Sequence, residues 1–191
     1  MRKHWRRVPG NHVYLSPLLS EDAEPIAGWR NDPALTPYWD SGTNSCSLEK
    51  TRDDVEEMMK HGYHYAIVSA EQERLLGVGS ITGVSHLNQS GFLWLAPGDL
   101  EFWTNGCGQE AVGLLLEYGF HILNLYAVTV WAMHDQQAKL DCLQASGFRE
   151  IGRRRELIRS GNRRVDTVYM DMLADDFARP VRAYTIRLDQ S

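Results

Sequence analysis

The chain has 191 residues, of which 43% are apolar and 24% charged, and its formal net charge is −5. This length and composition are typical of one globular domain and exclude wholesale disorder. The acidic balance argues against a nucleic-acid binder, and no stretch approaches the ~18 apolar residues of a membrane span. Three cysteines without a CxxC pair fit a reducing cytoplasm, and the scattered histidines indicate no metal site.

Both ends of the chain differ from its centre. Arg2, Lys3, Arg6 and Arg7 make residues 1–10 basic, and no apolar core follows them as it would in a secretory signal. We therefore expect residues 1–10 to be a basic, solvated tail. A single domain is predicted over residues 11–177, followed by a C-terminal extension over residues 178–191.

The predicted elements follow the order β-α-α-β-β-β-α-β-α-β-β. In chain order they are a strand near Val13–Leu18, a helix from Ser20 to Asn31, a helix from Ser47 to about His61, strands Tyr63–Ser69, Leu75–Val84 and Gly91–Ala96, a helix from Gln109 to about Leu123, a strand Tyr126–Met133, a helix Asp135–Ser146, and strands Phe148–Arg159 and Arg163–Leu173. Strands alternate with helices only in the second half of the chain. This order predicts a mixed sheet with helices packed on it, in the α/β or α+β class.

The segment that indicates chemistry is Trp103-Thr-Asn-Gly-Cys-Gly-Gln-Glu-Ala111, directly before a strong helix. Glycines at such a turn let backbone N–H groups and the helix dipole face an anion, which suits phosphate or pyrophosphate. A thiol there, at Cys107, is expected to be acidified. Glu110, in the first helical turn, fits backbone capping better than catalysis.

Two other interpretations of this segment stay open. Gly106 and Gly108 are also typical of a loop that only turns the chain into a helix. The same residues match the G-x-G-x-x-G/A dinucleotide fingerprint, which would indicate an oxidoreductase. That second interpretation is disfavoured because a long polar connection separates the preceding strand from Gly106, and no repeating βαβ array follows.

The chain resembles the GNAT-superfamily N-acetyltransferases, and within them the RimJ/RimL type that acts on ribosomal-protein N-termini and is similar to spermidine acetyltransferases. The segment Trp103–Ala111 echoes the family's WGxGxGTEA segment, and Trp29-Arg-Asn-Asp-Pro33 echoes its WRNDP. Gly147–Glu156 echoes the family's GF and EGxxR before a closing hairpin. The resemblance covers Val13 to Phe177.

The resemblance implies a mixed, mostly antiparallel sheet, splayed between its fourth and fifth strands, with helices on both faces. Acetyl-CoA would lie in the splay as co-substrate, its pantetheine along the strand containing Leu93, Trp94 and Leu95, and its pyrophosphate on the turn. The family's Asn that contacts pantetheine corresponds to Asp135 or Gln136 in this sequence. The implied cofactor residues are Leu93, Trp94, Leu95, Trp103, Asn105, Gly106, Cys107, Gly108, Gln109, Asp135 and Gln136.

The implied reaction is direct acetyl transfer to a primary amine of a protein N-terminus, a polyamine or a small molecule. Trp29, Tyr38 and Trp39 are the candidate acceptor-site residues. The general base is not identified by the pattern, and the candidates are Glu101, His64, His134 and Asp135. The tyrosine that commonly serves the family as general acid corresponds to Leu143, or to Cys142 if the alignment shifts by one residue.

Among these groups Glu101, His134 and Cys142 are the candidate catalytic residues. The missing Tyr motivates an alternative from another class, a module of the same fold that binds an acyl-CoA without turnover. In either case we expect a cytoplasmic protein without a nucleic-acid or membrane partner, which could form a homodimer.

Overall fold

The computed structural model describes residues 4–39, 45–160 and 162–178. The described strands form one sheet. They are β1 (Val8–Pro9), β2 (Val13–Pro17), β3 (Tyr63–Ser69), β4 (Leu75–Ser85), β5 (Ser90–Pro97), β6 (Ala127–Met133), β7 (Arg149–Ser160) and β8 (Arg163–Leu173). The α-helices are α1 (Ala23–Asn31), α2 (Leu48–Lys60), α3 (Cys107–Glu117) and α4 (Gln137–Ala145), and short 3-10 turns cover Thr36–Tyr38 and Leu100–Trp103.

The strand order across the sheet is β1-β2-β3-β4-β5-β6-β8-β7. Every neighbouring pair is antiparallel except β5 and β6, which are parallel. That parallel pairing runs only from Ser90 to Phe92 on β5, opposite Ala127 to Thr129 on β6. Beyond these residues the two strands diverge, so the prediction of a splayed, mostly antiparallel sheet is confirmed. The splay lies between the fifth and sixth strands rather than the fourth and fifth, because the two-residue β1 adds a strand at the start.

Helices cover both faces of the sheet, as predicted. One core joins α3 and α4 to side chains such as Leu93 and Leu95, and a second core joins α1 and α2 to side chains such as Tyr14 and Val68. Because successive side chains of a strand point to opposite faces, β5 directs Leu93 and Leu95 toward α3 and Trp94 toward α1 and α2. The sheet therefore separates the two cores, and β5 contributes side chains to both.

The expectation of a solvated N-terminal tail is wrong at His4 and Val8, whereas Trp5, Arg6, Arg7 and Pro9 are exposed. His4 is 6% exposed and its Nε2 lies 3.4 Å from Asp22 Oδ1, while Val8 is 1% exposed and pairs with Leu15. The basic Arg6 and Arg7 precede Val8, whose strand β1 forms one edge of the sheet.

The domain boundaries stay predictions, and the proposed extension lies outside the described residues apart from Ala178. No described helix is both long and apolar enough to cross a lipid bilayer.

Glu110 connects α3 to the start of β2. Its carboxylate accepts hydrogen bonds from the backbone N–H groups of Asn11, His12 and Val13, at 2.5, 2.8 and 3.1 Å. The expected backbone-capping role is confirmed, although the capped groups belong to the β2 entry rather than to the helix itself.

Replacing Glu110 by Gln is expected to lower the free energy of unfolding by about 1–2 kcal/mol, because one of its two acceptor oxygens becomes a donor facing N–H groups. Chemical denaturation measures the loss. Glu71→Gln, in the exposed turn between β3 and β4, is the matched control and should change stability little. Equal stability of both variants would contradict the role assigned to the Glu110 carboxylate.

Candidate active site

The glycine turn forms the N-terminus of α3. Gly106 has a left-handed backbone with φ of 86°, which favours glycine, and α3 begins at the next residue. The Asn105 side chain caps the turn, because its Oδ1 accepts a hydrogen bond from the Cys107 N–H at 3.0 Å. The first turn of a helix leaves N–H groups without intrahelical partners, here those of Gly108 and Gln109. The turn is exposed at Asn105 and Gly106, so an anion can reach these groups.

Gly108 is required by packing inside the protein. A Cβ at this position would lie 2.7 Å from the backbone oxygen of Phe102 and 3.2 Å from its ring. The 3-10 turn carrying Phe102 therefore packs directly against the first turn of α3, and this contact holds the anion-binding turn in place.

Gly108→Ala is expected to lower the melting temperature by several degrees, because a backbone oxygen cannot move aside as a flexible side chain can. Differential scanning calorimetry measures the shift. In the control Gly28→Ala, on α1, no other group lies within 4 Å of the new methyl, so no loss is expected. A Gly108→Ala variant as stable as this control would show that the turn relaxes freely.

The expectation that the Cys107 thiol is acidified is wrong. Burial raises its pKa, and the neighbouring Glu110 carboxylate raises it further. The helix N-terminus favours a thiolate, but desolvation of the thiol and the acidic neighbour outweigh it. At pH 7 the side chain remains a thiol.

A narrow crevice marks the place where β5 and β6 separate. It measures about 10 Å³ and is lined by Pro37, Tyr38, Phe92, Leu93, Trp94, Trp131 and Lys139. The Tyr38 ring stacks on Trp103 with 5.9 Å between ring centroids, and Lys139 Nζ lies 5.7 Å from the Trp103 ring and 5.8 Å from that of Trp131. Tyr38, expected at the acceptor site, thus lies on the splay side of β5, and Lys139 is a site residue that the sequence did not indicate.

The two alternatives for a pantetheine contact differ in position. Gln136 is 6% exposed; its Oε1 accepts from the Met133 N–H at 3.1 Å and its Nε2 donates to Pro37 O at 3.4 Å. Asp135 is exposed, and its charge contributes, after burial, to the raised pKa of Tyr38. Gln136 is therefore the interior residue, and it fixes the Pro37–Tyr38 turn beside the splay.

The groups around the splay fit a ligand that carries amides and phosphates. The Trp103 indole Nε1 is buried and has no hydrogen-bond partner within the described residues. Strand β5 pairs with β6 only as far as Phe92, and the residues that follow on β5 run beside the splay. Together with the exposed turn at Gly106, these groups could bind the amides and phosphates of coenzyme A, but Tyr38 and Lys139, which narrow the crevice to about 10 Å³, would have to move aside for its arm.

A larger cavity, of about 410 Å³, lies on the opposite face of the sheet, under α1 and α2. It is lined by Ile26, Arg30, Trp39, Asp54, Val55, Met58, His64, Ser80, Thr82, Phe92 and Trp94. Trp39 is fixed there because its indole N–H donates to Pro97 O at 2.9 Å. Of the expected acceptor residues, Trp39 lines this cavity, whereas Trp29 packs beside it with 5.8 Å between the two ring centroids.

On the sheet side of the cavity the polar lining comes from His64 on β3 and from Ser80 and Thr82 on β4. His64 on β3 pairs with Ser80 on β4, and Ser80 pairs with Trp94 on β5, so these side chains stand in one row. Ser80 is fully buried, and neither its Oγ nor His64 Nδ1 has a hydrogen-bond partner in the part of the chain that the structure describes. Burial lowers the pKa of His64, so its imidazole is neutral at pH 7. A neutral imidazole and a hydroxyl can accept the hydrogens of an amine.

The catalytic candidates indicated by the sequence lie away from this row. Glu101 and His134 are exposed, and neither lines the splay crevice or the cavity. Cys142 is 5% exposed within the core under α3 and α4, and burial raises its pKa to about 11. Leu143, at the family's Tyr position, is fully buried in the same core. His64 is therefore the base candidate that the structure brings to a cavity.

Comparisons with known proteins agree with this architecture. Residues 12–149 match the acetyltransferase (GNAT) domain. An uncharacterized N-acetyltransferase p20 of Bacillus licheniformis is 22% identical over 169 residues, covering 86% of this chain and 94% of that protein. Among solved structures, spermidine N-acetyltransferase from Vibrio cholerae, in complex with CoA and spermine, superimposes with a TM-score of 0.78 at 18% identity, over 89% of this chain and 100% of that one.

A second solved structure, the ribosomal-protein-S5-alanine acetyltransferase of Vibrio fischeri, superimposes with a TM-score of 0.75 at 18% identity, over 90% of this chain and 98% of that one. The fold is thus shared with both kinds of acetyltransferase that the RimJ/RimL-like motifs indicate. The matches define this protein as an acyltransferase. The chain belongs to the GNAT acetyltransferase family.

Proposed function

We propose that the protein transfers an acetyl group from acetyl-CoA directly to a primary amine. The observation that carries this proposal is the position of β5 between the two spaces. Phe92 and Trp94 line both the splay crevice and the cavity, so a donor in one and an acceptor in the other meet at the same strand. Such juxtaposition is the main requirement for a direct transfer between two bound reactants.

The residues proposed to hold the donor are those of the splay and the turn. The segment Leu93, Trp94 and Leu95 of β5, beyond its last pairing with β6, is proposed to lie along pantetheine, with Gln136 and the Trp103 indole beside it. The turn at Asn105, Gly106, Cys107, Gly108 and Gln109 offers its N–H groups to the pyrophosphate. When bound, acetyl-CoA supplies the thioester carbonyl that an amine can attack.

His64 is proposed as the group that takes the proton from the acceptor amine. A neutral imidazole near the cavity is suited to this task because the amine must lose a proton to become a nucleophile. The charged and titratable groups around it are Arg30 and Asp54 in the cavity and Arg7, Tyr63 and Tyr65 in an adjoining crevice of about 280 Å³. Because His64 lines both spaces, the crevice offers the proton a way to solvent.

The alternative, a module that binds an acyl-CoA without turnover, finds less support. This alternative was motivated by the absence of a tyrosine at Leu143 or Cys142. A binding module, however, needs neither an acceptor cavity nor the neutral imidazole of His64 in that cavity. The cytoplasmic location, the homodimer and the absence of nucleic-acid and membrane partners stay predictions.

Calorimetric titration with acetyl-CoA, with NADH as control ligand, tests the donor. Thiol release in the presence of a panel of primary amines tests transfer. Acetyl-CoA binding with amine-dependent thiol release supports the proposal. Binding without release from any amine would favour the binding module, and binding of NADH alone would overturn the donor assignment.

A further inference from the structure

We propose that the cavity under α1 and α2 selects a primary monoamine attached to one apolar, ring-sized body, and rejects polyamines. This inference rests on the proposed function, since it names the acceptor class for the same site. The inference depends on three properties of the described part of the cavity: an apolar wall, a paired Arg30 and Asp54, and two buried polar atoms without a partner.

The wall is largely apolar and aromatic. The side chains that form it are Ile26, Trp39, Val55, Met58, Phe92 and Trp94. Its volume of about 410 Å³ lies within the range of roughly 300–1,000 Å³ of small-molecule pockets. Transfer of a ring from water to such a wall is favourable in proportion to the apolar area removed from water.

The charges in the cavity do not suit a polyamine. Asp54 is the acidic side chain that lines it within the described residues, and its Oδ2 lies 2.5 Å from Arg30 Nη1. The other acids of α2 are exposed and do not line the cavity; they are Glu49, Asp53, Glu56 and Glu57. A second ammonium group would therefore be buried against apolar side chains without a carboxylate, which is costly.

The unpartnered polar atoms determine where the amine lies. Ser80 Oγ and His64 Nδ1 are buried acceptors on the sheet side, and Ser80 pairs with Trp94 on β5. An amine that donates to them satisfies atoms whose burial otherwise carries a penalty. Its apolar body then extends toward Ile26, Val55 and Met58 on the two helices.

Initial rates at saturating acetyl-CoA, measured with phenylethylamine, ethylamine, spermidine and an alanine-starting hexapeptide amide, test the acceptor class. We expect kcat/KM for phenylethylamine to exceed that for ethylamine and spermidine by about 100-fold, from burial of the ring. A preference for spermidine or for the peptide would overturn the inference while leaving the proposed transferase function intact.

A charge variant tests the cavity itself. Met58→Glu adds a carboxylate to the wall at a half-buried position, so phenylethylamine should lose about tenfold in kcat/KM and spermidine should gain. Leu48→Glu, at an exposed position at the start of the same helix, is the matched control and should change neither. Unchanged selectivity in Met58→Glu would overturn the assignment of this cavity.

Quenching of tryptophan fluorescence by phenylethylamine separates this inference from the proposed function, because Trp39 and Trp94 line the cavity and binding needs no turnover. Saturable quenching that is lost in Met58→Glu, without acetylation of any amine, would support the subsite while the transferase proposal fails. Turnover of amines without saturable quenching by phenylethylamine would overturn the subsite alone.

Discussion

Replacing Asn105 by Asp is expected to weaken acetyl-CoA binding by about 100-fold, because a new negative charge stands where the pyrophosphate is proposed to bind. The substitution is nearly isosteric, and an Asp oxygen can still accept the hydrogen bond from the Cys107 N–H. A carboxylate at a helix N-terminus also stabilises the helix, so the melting temperature should stay the same or rise. Calorimetric titration and thermal unfolding measure the two effects.

Asn105→Ser is the matched control, since a serine hydroxyl caps the turn without a charge. Its acetyl-CoA affinity should remain within a few-fold of the wild type. Wild-type affinity in Asn105→Asp, at low ionic strength, would mean that the phosphates bind elsewhere. A fall in both affinity and stability would show that the turn is distorted, and would contradict the expected preservation of the cap.

Replacing His64 by Gln is expected to lower turnover at pH 7 by about 100-fold, the usual contribution of a positioned general base. Acetyl-CoA affinity should be unchanged, because His64 lies on the acceptor side of β5. His61→Gln, on the same segment but exposed and beside Glu57, is the matched control and should keep wild-type turnover. Equal turnover in His64→Gln and the wild type would exclude His64 as the base.

The lowered pKa of His64 predicts how kcat/KM and the free energy of unfolding depend on pH. In the wild type the acid limb of kcat/KM should lie below the ordinary value of 6.5, and it should disappear in His64→Gln. The unfolded chain binds a proton to this side chain at a higher pH than the folded protein does. Stability should therefore rise with pH through the window below 6.5, and His64→Gln should flatten that rise in denaturation measured at several pH values.

Local patterns along the chain determined most of the architecture. Ser47 marked the start of α2, and its side chain does accept a hydrogen bond from the Lys50 N–H. The glycines at 106 and 108 marked the start of α3, because a left-handed turn and a close backbone approach both require the absence of a side chain. Such signals are readable because the interactions that produce them join residues only a few positions apart.

The sequence also indicated the donor side of the site. The turn before α3, together with the motifs around it, is a contiguous segment, so its chemistry is present in the order of its residues. The partial burial of Cys107 cannot be predicted from this segment, since desolvation depends on what packs over the thiol and not on its neighbours in the chain.

Tertiary structure alone forms the cavity that is proposed to take the acceptor. His64, Ser80 and Trp94 stand in one row only because the registers of β3, β4 and β5 align them, and strand register is a long-range property. The contact of Tyr38 and Lys139 with Trp103 in the splay likewise joins distant segments. The sequence determined which local structures form and what the family chemistry is, whereas the packing of those structures against one another decided which side chains share a cavity, because burial and pairing arise only once distant parts of the chain meet.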